Sequence, residues 1–383
     1  MSRIDVPDLP QREVLDGPLP FRERRAVLKE LAERHRKATK GDKRRLLDEA
    51  EKLLRRNRPA FDHARPIHSF DGIELLFYIG GMEYLRGSAK SALQRVHGMP
   101  FAWSLNPYRG CRHACLYCYA RIYHSYIGFE DPADFDRVIL HKADLPLTLQ
   151  RELMARRSPL LGDVAIGTAT DPYQPLEAKE RITRRCLEVL LEAGQAVTIT
   201  TKSPLVTRDL DLLQAFAAYG GIRVHLTVTV LEADLWRLLE PMTPRPDSRL
   251  AALADLRAAG VPASLFLAPV VPAIGEREAL RVLDAAADVG AEHVMAQPLR
   301  LSSGVRTWLL PRIASSLPQG TRELERLYGR RETLPTAERE RVMAPIAAKR
   351  DALGLARQVP PLRRRDEQLT LFATESLPMP HRA

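Results

Sequence analysis

The sequence predicts an α/β fold: a partial (β/α)6 TIM-like barrel with helical N-terminal and C-terminal extensions. Three observations predict it. From residue 103 onward, short apolar runs of strand length alternate with helical periodicity about six times, and strand-then-helix repetition means parallel strands with right-handed crossovers. The helical stretches end at Gly194, Gly220-Gly221, Gly260 and Gly290, as helix C-termini commonly do. Six such units are too few to close an eight-stranded barrel, so the sheet is expected to curl and stay open on one side.

The elements follow in order. Residues 1–20 are Pro-rich and read as a flexible N-terminus. Residues 21–102 form a basic helical N-terminal extension, with two helices over 21–57 broken near Gly41-Asp42. A less regular segment, 58–102, turns at Gly80-Gly81. Strands are predicted at 103–108, 163–168, 196–201, 222–230, 263–268 and 293–297, and helices at 178–193, 206–219, 247–259 and 276–289. These make a core over 103–300. In the fourth strand Arg223, His225, Thr227 and Thr229 alternate with Val224, Leu226, Val228 and Val230. The apolar set is expected to face the helices and the polar set the barrel interior. Helical patterns continue over 301–358, and residues 359–383 form a flexible tail.

The chemistry-bearing feature lies just after the first strand. Cys111, Cys115 and Cys118 are spaced Cys-x3-Cys-x2-Cys, and the chain has one other cysteine, Cys186. Three clustered thiols cannot all pair as disulfides, and a chain of 383 residues buries enough core without them. Three thiolates on one loop can hold three irons of a [4Fe–4S] cube, leaving the fourth iron open for chemistry. A zinc site is the rival reading, with His113 or His124 as fourth ligand, although no second Cys-x2-Cys knuckle is present. Cys186 lies on the apolar stripe of the helix at 178–193, with Ile182, Val189 and Leu190, and reads as core packing.

The cysteine spacing, with Tyr117 directly before the third cysteine, resembles the radical S-adenosylmethionine (SAM) superfamily. Segments 167–177, 199–203, 240–244 and 267–270 are similar to successive segments of its spore photoproduct lyase-like branch, often labelled DNA repair photolyase. The resemblance spans about residues 90 to 300. It implies a [4Fe–4S] cluster on the three cysteines, SAM on the open iron, and reductive cleavage to a 5′-deoxyadenosyl radical that abstracts hydrogen from a substrate. It also implies an electron donor such as flavodoxin or ferredoxin. Thr168, Thr170, Asp171, Lys202 and Ser203, just past strand ends, are the expected SAM-binding residues. Lys202 is expected to pair with the SAM carboxylate. Glu177 and Glu240 are expected to orient loops by pairing with arginines such as Arg181 or Arg249. Tyr117 and Tyr119 flank Cys118 as tyrosines linked to hydrogen-atom relay do in that lyase. Where the lyase has a hydrogen-donating cysteine, this chain has Thr168, which argues against spore photoproduct itself as substrate.

Net charge of +10 permits a polyanionic partner, and fifteen Lys and Arg fall within residues 22–58. Those helices read equally as a phosphate-binding surface or as solvated helices with Leu28, Leu31, Leu46 and Leu53 inward. In the tail, Gln368, Leu369, Leu371 and Phe372 resemble the pentapeptide that bacterial repair proteins insert into the sliding clamp. Together these features point to a nucleic-acid substrate and to DNA repair or modification by a lyase-like enzyme. The alternatives are a radical SAM enzyme acting on tRNA, a peptide or a small molecule, and a non-catalytic DNA-associated iron–sulfur or zinc protein. No apolar run approaches the ~20 residues that span a bilayer, the N-terminus has no apolar signal region, and a cytoplasmic, reducing compartment is expected.

Overall fold

The computed structural model describes residues 74–79, 82–127, 129, 131–156, 160, 162–356 and 360–365. The basic helices expected at 21–57 and the tail residues Gln368 to Phe372 lie outside the described residues. In chain order the strands are β1 (Glu74–Ile79), β2 (Met82–Gly87), β3 (Gln94–Arg95), β4 (Trp103–Leu105), β5 (Tyr108–Arg109), β6 (Val138–Lys142), β7 (Val164–Ile166), β8 (Val197–Thr201), β9 (Ile222–Thr227), β10 (Ala263–Val270) and β11 (Val294–Pro298).

Strands β4, β7, β8, β9, β10 and β11 pair in parallel in that spatial order, with β3 antiparallel on the β4 edge. Sequential parallel pairing is the predicted (β/α)6 pattern. The expected two-sidedness holds as well. Thr200, His225 and Ser264 sit side by side across three strands and Thr198 and Arg223 across two, with Phe266 and Met295 on the same face. The alternate set, Val197, Ile199, Val224, Leu226, Leu265 and Val294, is fully buried. It packs with Ile182, Cys186, Leu187 and Leu190 of helix Ile182–Glu192 and with Leu253 and Leu256 of helix Pro246–Ala258. A barrel that were merely a filled core would carry apolar side chains on both faces.

The differences from expectation have local causes. The helix predicted at 178–193 breaks at Arg181, which is left-handed at φ 50°, giving Glu177–Glu180 and Ile182–Glu192. Glu177 causes the break, because its carboxylate accepts from the Thr183 and Arg184 amides at 3.0 and 3.3 Å and so caps the second helix. The helix predicted at 206–219 begins as a 3-10 turn, Pro204–Asp209, before Leu210–Ala217. The segment read as irregular at 58–102 contains the β1–β2 hairpin. That hairpin joins β6 and β5 in a second, four-stranded sheet. The crossover between β4 and β7 supplies β5 and β6 to this sheet and carries helix Leu145–Met154.

Residues 360–365 run across the N-terminal ends of the barrel strands. The Arg363 and Arg365 amides donate to the Gly220 and Gly194 carbonyls at 2.9 and 3.0 Å, Arg223 donates to the Pro360 carbonyl, and Arg364 Nη1 donates to the Leu160 carbonyl at 3.0 Å. The end opposite the cysteine loop is therefore strapped over by the chain itself.

Two glycines hold the loops at the other end close together. Gly110 has φ +79°, and a Cβ there would lie 2.6 Å from the Val138 carbonyl oxygen and 2.8 Å from that of Phe135. Gly167 has φ +94°, and a Cβ there would run into the Thr200 carbonyl. Both backbone sign and space require glycine. Gly110→Ala is expected to destabilise the fold by at least about 2 kcal/mol, lowering the urea midpoint; an unchanged midpoint would contradict this packing.

Candidate active site

The cysteine loop leaves β5 at Gly110 and is pinned on both sides. The Cys111 amide donates to the Phe135 carbonyl at 2.8 Å and the Leu116 amide to the Leu239 carbonyl at 2.9 Å. Thr170 Oγ1 donates to the Gly110 carbonyl at 2.7 Å, and Gln174 takes the Arg112 amide on Oε1 at 3.0 Å. Arg121 closes the far end, donating to the Cys115 carbonyl at 3.3 Å while its guanidinium lies 4.3 Å over the Trp308 ring. Cys111 and Cys115 are buried and Cys118 half-buried. Cys186 is fully buried in the main core under the strands.

The predicted strand-end residues gather around this loop, but most of their polar atoms are already engaged. Thr168 Oγ1 lies 2.6 Å from Ser104 Oγ and accepts from Asn106 Nδ2 at 3.0 Å. Asn106 also takes the Ala169 amide at 2.9 Å. Asp171 Oδ1 accepts from Thr201 Oγ1 at 2.6 Å and the Tyr173 amide at 2.9 Å. Its Oδ2 accepts from the Lys202 amide at 2.7 Å and lies 3.1 Å from His113 Nδ1. Asp171 thus ties the ends of β7 and β8 to the cysteine loop, rather than offering a spare acceptor to a ligand. Ser203 Oγ accepts the Leu205 amide at 3.3 Å as the cap of the 3-10 turn.

The two tyrosines beside Cys118 have different environments. Tyr117 is buried, and its hydroxyl donates to Glu240 Oε1, which also accepts from Thr229 Oγ1 at 2.7 Å. Tyr119 is 48% exposed, and its hydroxyl donates to the Thr168 carbonyl at the rim. The expected pairing of Glu240 with Arg249 is present at 2.6 Å, with both side chains fully buried. The expected partner of Glu177 is corrected: Glu177 pairs with Arg208 at 2.9 Å, while Arg181 serves as the left-handed helix break. Lys202 Nζ lies 3.8 Å from Glu240 Oε1 and 5.6 Å from the Tyr117 ring centre. Of the predicted binding residues it is the least tightly held charged side chain.

Sequence reasoning missed Asn106, Gln174 and the Asp171–His113 contact. Asn106 sits directly after β4, so the strand-end rule used for Thr168 would have found it. Nothing local marks Gln174 as the acceptor of the Arg112 amide.

Burial alone would raise both site carboxylates. For Asp171, His113, Thr201 and the Lys202 amide outweigh it and hold the group down to about 2. For Glu240, Arg249 and then Lys202 do the same, again to about 2. Burial pushes the thiols up, Cys115 to about 12, with the neighbouring Asp171, Cys118 and Cys115 adding to the effect at Cys111. Without metal the loop is a set of neutral thiols whose protons a metal must displace.

The family model of the radical SAM superfamily matches residues 105–286. An uncharacterized protein of Mycobacterium tuberculosis is 34% identical over 297 residues, covering 76% of this chain and 85% of that protein. The chain belongs to the radical SAM superfamily. An uncharacterized protein of Methanocaldococcus jannaschii is 28% identical over 191 residues, covering 50% of this chain and 69% of the other. Among solved structures, spore photoproduct lyase complexed with dinucleoside spore photoproduct matches with a TM-score of 0.52 at 16% identity. The match covers 70% of this chain and 79% of the other, a likeness of fold.

Radical SAM enzymes use a [4Fe–4S] cluster and SAM. The residues of this radical SAM chain fit such a cluster. Three thiols share one pinned loop at the strand ends where parallel barrels place their sites. Of the two histidines considered as zinc ligands, His113 Nδ1 lies against Asp171, and the His124 ring packs on Phe129 and Phe135 at 5.1 and 5.8 Å. Among the described residues no three His, Cys, Asp or Glu side chains converge on a point one ion could fill. No described helix is long and apolar enough to cross a membrane.

Proposed function

We propose that this radical SAM enzyme holds a [4Fe–4S] cluster on Cys111, Cys115 and Cys118 and abstracts hydrogen from a nucleic-acid substrate, in DNA repair or modification. The observation that carries the reading is the pinned three-thiol loop at the mouth of a polar-lined barrel, with Lys202 half-buried beside it. When bound, the cluster and SAM supply a one-electron reductive cleavage to methionine and a 5′-deoxyadenosyl radical.

The chain's own residues do the rest. Lys202 offers an ammonium to the SAM carboxylate. Asp171, Thr170 and Gln174 act at one remove by fixing the loop, and Ser203 holds the turn that follows Lys202. Glu240 anchors Tyr117 and so orients the turn before the third cysteine, while Tyr119 and Thr168 form the rim that a substrate meets. A threonine hydroxyl is a far poorer hydrogen-atom donor than a thiol, so a hydrogen returned to product would come from a group other than Thr168.

A nucleic-acid substrate is supported by the net charge of +10. It is also supported by the fold shared with a lyase solved with a dinucleoside. A cytoplasmic protein reduced by flavodoxin or ferredoxin fits this chemistry. We further read Gln368, Leu369, Leu371 and Phe372 as a sliding-clamp ligand, on their resemblance to the clamp-binding pentapeptide. Anaerobic reconstitution with iron and sulfide tests the core of the proposal. About four irons per chain and 5′-deoxyadenosine release with dithionite and SAM are expected. DNA or RNA oligonucleotides are expected to raise that release. Iron without SAM cleavage would overturn the chemistry, and indifference to every nucleic acid would overturn the substrate class.

A further inference from the structure

The segment that follows the third cysteine carries exposed rings beyond Tyr119 that the proposed chemistry does not use. It is the 3-10 stretch Tyr119–Ile127, and four of the large apolar side chains exposed among the described residues fall in it: Tyr119 at 48%, Ile122 at 40%, Tyr123 at 37% and Tyr126 at 72%. Burying such rings is favourable, so a run of them left in water points to an occupant.

The rings are ordered against one another. Tyr119 and Tyr123 meet edge-on with centroids 6.2 Å apart, and Tyr123 and Tyr126 stack with centroids 5.9 Å apart and planes 23° apart. The series begins at the reaction mouth, because the Tyr119 hydroxyl donates to the Thr168 carbonyl at the end of β7. It is braced from behind: Ile122 lies so close to Gly304 that a Cβ there would collide with it. This fixes the segment against helix Ser303–Ile313.

Charge selects the occupant. No Asp or Glu occurs between Glu83 and Glu130, while Arg86, Lys90, Arg95, Arg109 and Arg112 do; Arg121 is buried and paired with Asp136, so it offers no charge to a ligand. The supporting helix Ser303–Ile313 carries Arg306 and Arg312 and no acid. A protein surface or a second copy of this chain would need apolar or acidic groups to match. Single-stranded nucleic acid brings flat bases for the rings and phosphates for the arginines.

We propose that Tyr119, Tyr123 and Tyr126 form a stacking platform for the unpaired bases of single-stranded nucleic acid, leading the strand to the cysteine loop. This deepens the nucleic-acid reading above and rests on it. The mode is tolerant of sequence, since every base has a π-face, and it favours single strands over duplex.

Fluorescence anisotropy of labelled 12-mer DNA and RNA, single-stranded and duplex, with the reconstituted full chain tests it. The variants are Tyr123→Ala/Tyr126→Ala and Tyr123→Phe/Tyr126→Phe, with iron content and circular dichroism confirming the fold. Wild type is expected to prefer the single strand, the Ala pair to weaken it at least about tenfold, and the Phe pair to bind within about threefold of wild type. Equal binding by wild type and the Ala pair would overturn the platform while leaving the nucleic-acid reading intact. No binding of any oligonucleotide by wild type would overturn that reading and the platform with it. Self-association of wild type that the Ala pair abolishes, without a change in oligonucleotide affinity, would assign the rings to a second copy and overturn the platform.

Discussion

Cys111→Ala, Cys115→Ala and Cys118→Ala, each reconstituted anaerobically, are expected to lose most of their iron and to release no detectable 5′-deoxyadenosine. Cys186→Ala is expected to keep about wild-type iron, because Cys186 packs in the main core with Ile182, Leu187 and Leu190. The contrast follows from the backbone. Gly110, Thr170, Gln174 and Arg121 fix where the three thiols stand, so the loop cannot rearrange to recruit another ligand. Metal binding to thiolates is also what offsets the burial that otherwise keeps these groups protonated. Iron content and the visible charge-transfer absorption check the result. Full iron in any of the three variants would sink the ligand assignment.

Glu240→Ala is the substitution expected to cost the most stability. It leaves Arg249, fully buried, without the carboxylate 2.6 Å away, and stranding one partner of such a pair costs about 3–5 kcal/mol. Tyr117, Thr229 and Lys202 lose a shared partner at the same time, so the turn before Cys118 should loosen. A double-mutant cycle with Arg249→Met, read by urea denaturation, separates the pair from the rest. If Arg249→Met is as damaging alone as Glu240→Ala and the two effects add, the pairing argument fails.

The same network sets the acid limit. Glu240 and Asp171 are held at about 2 in the folded chain, below the ordinary range near 4. A depressed carboxylate contributes stability in full above its unfolded value, and loses it as pH falls through the folded one. Stability is therefore expected to drop between about pH 4 and 2, and Asp171→Asn should flatten that drop.

Much of the fold was legible because its signals are local. The alternation of Arg223, His225, Thr227 and Thr229 with apolar neighbours reports a two-faced strand without any knowledge of its neighbours. Glycines after helices report their ends. The break at Arg181 was not legible, because its cause is a side chain several residues earlier capping a new helix. The β1–β2 hairpin was missed for a similar reason: it is held by pairing with β6, which lies more than fifty residues onward. Pairing partners distant in the chain leave no periodic trace.

The site divides along the same line. Residue types at fixed spacing carry the reaction class, since three thiols within eight residues can meet one cluster whatever the rest of the chain does. Spacing and periodicity alone therefore carry the cysteine loop, the six-unit barrel and the superfamily. How the surrounding groups are used is set by packing. Asp171 and Ser203 became scaffold because backbone amides reach them first. Tyr117 went inside and Tyr119 stayed at the rim, although both flank the same cysteine. Solvent exposure and hydrogen-bond partners depend on what other strands bring alongside, and that is settled by packing, not by spacing.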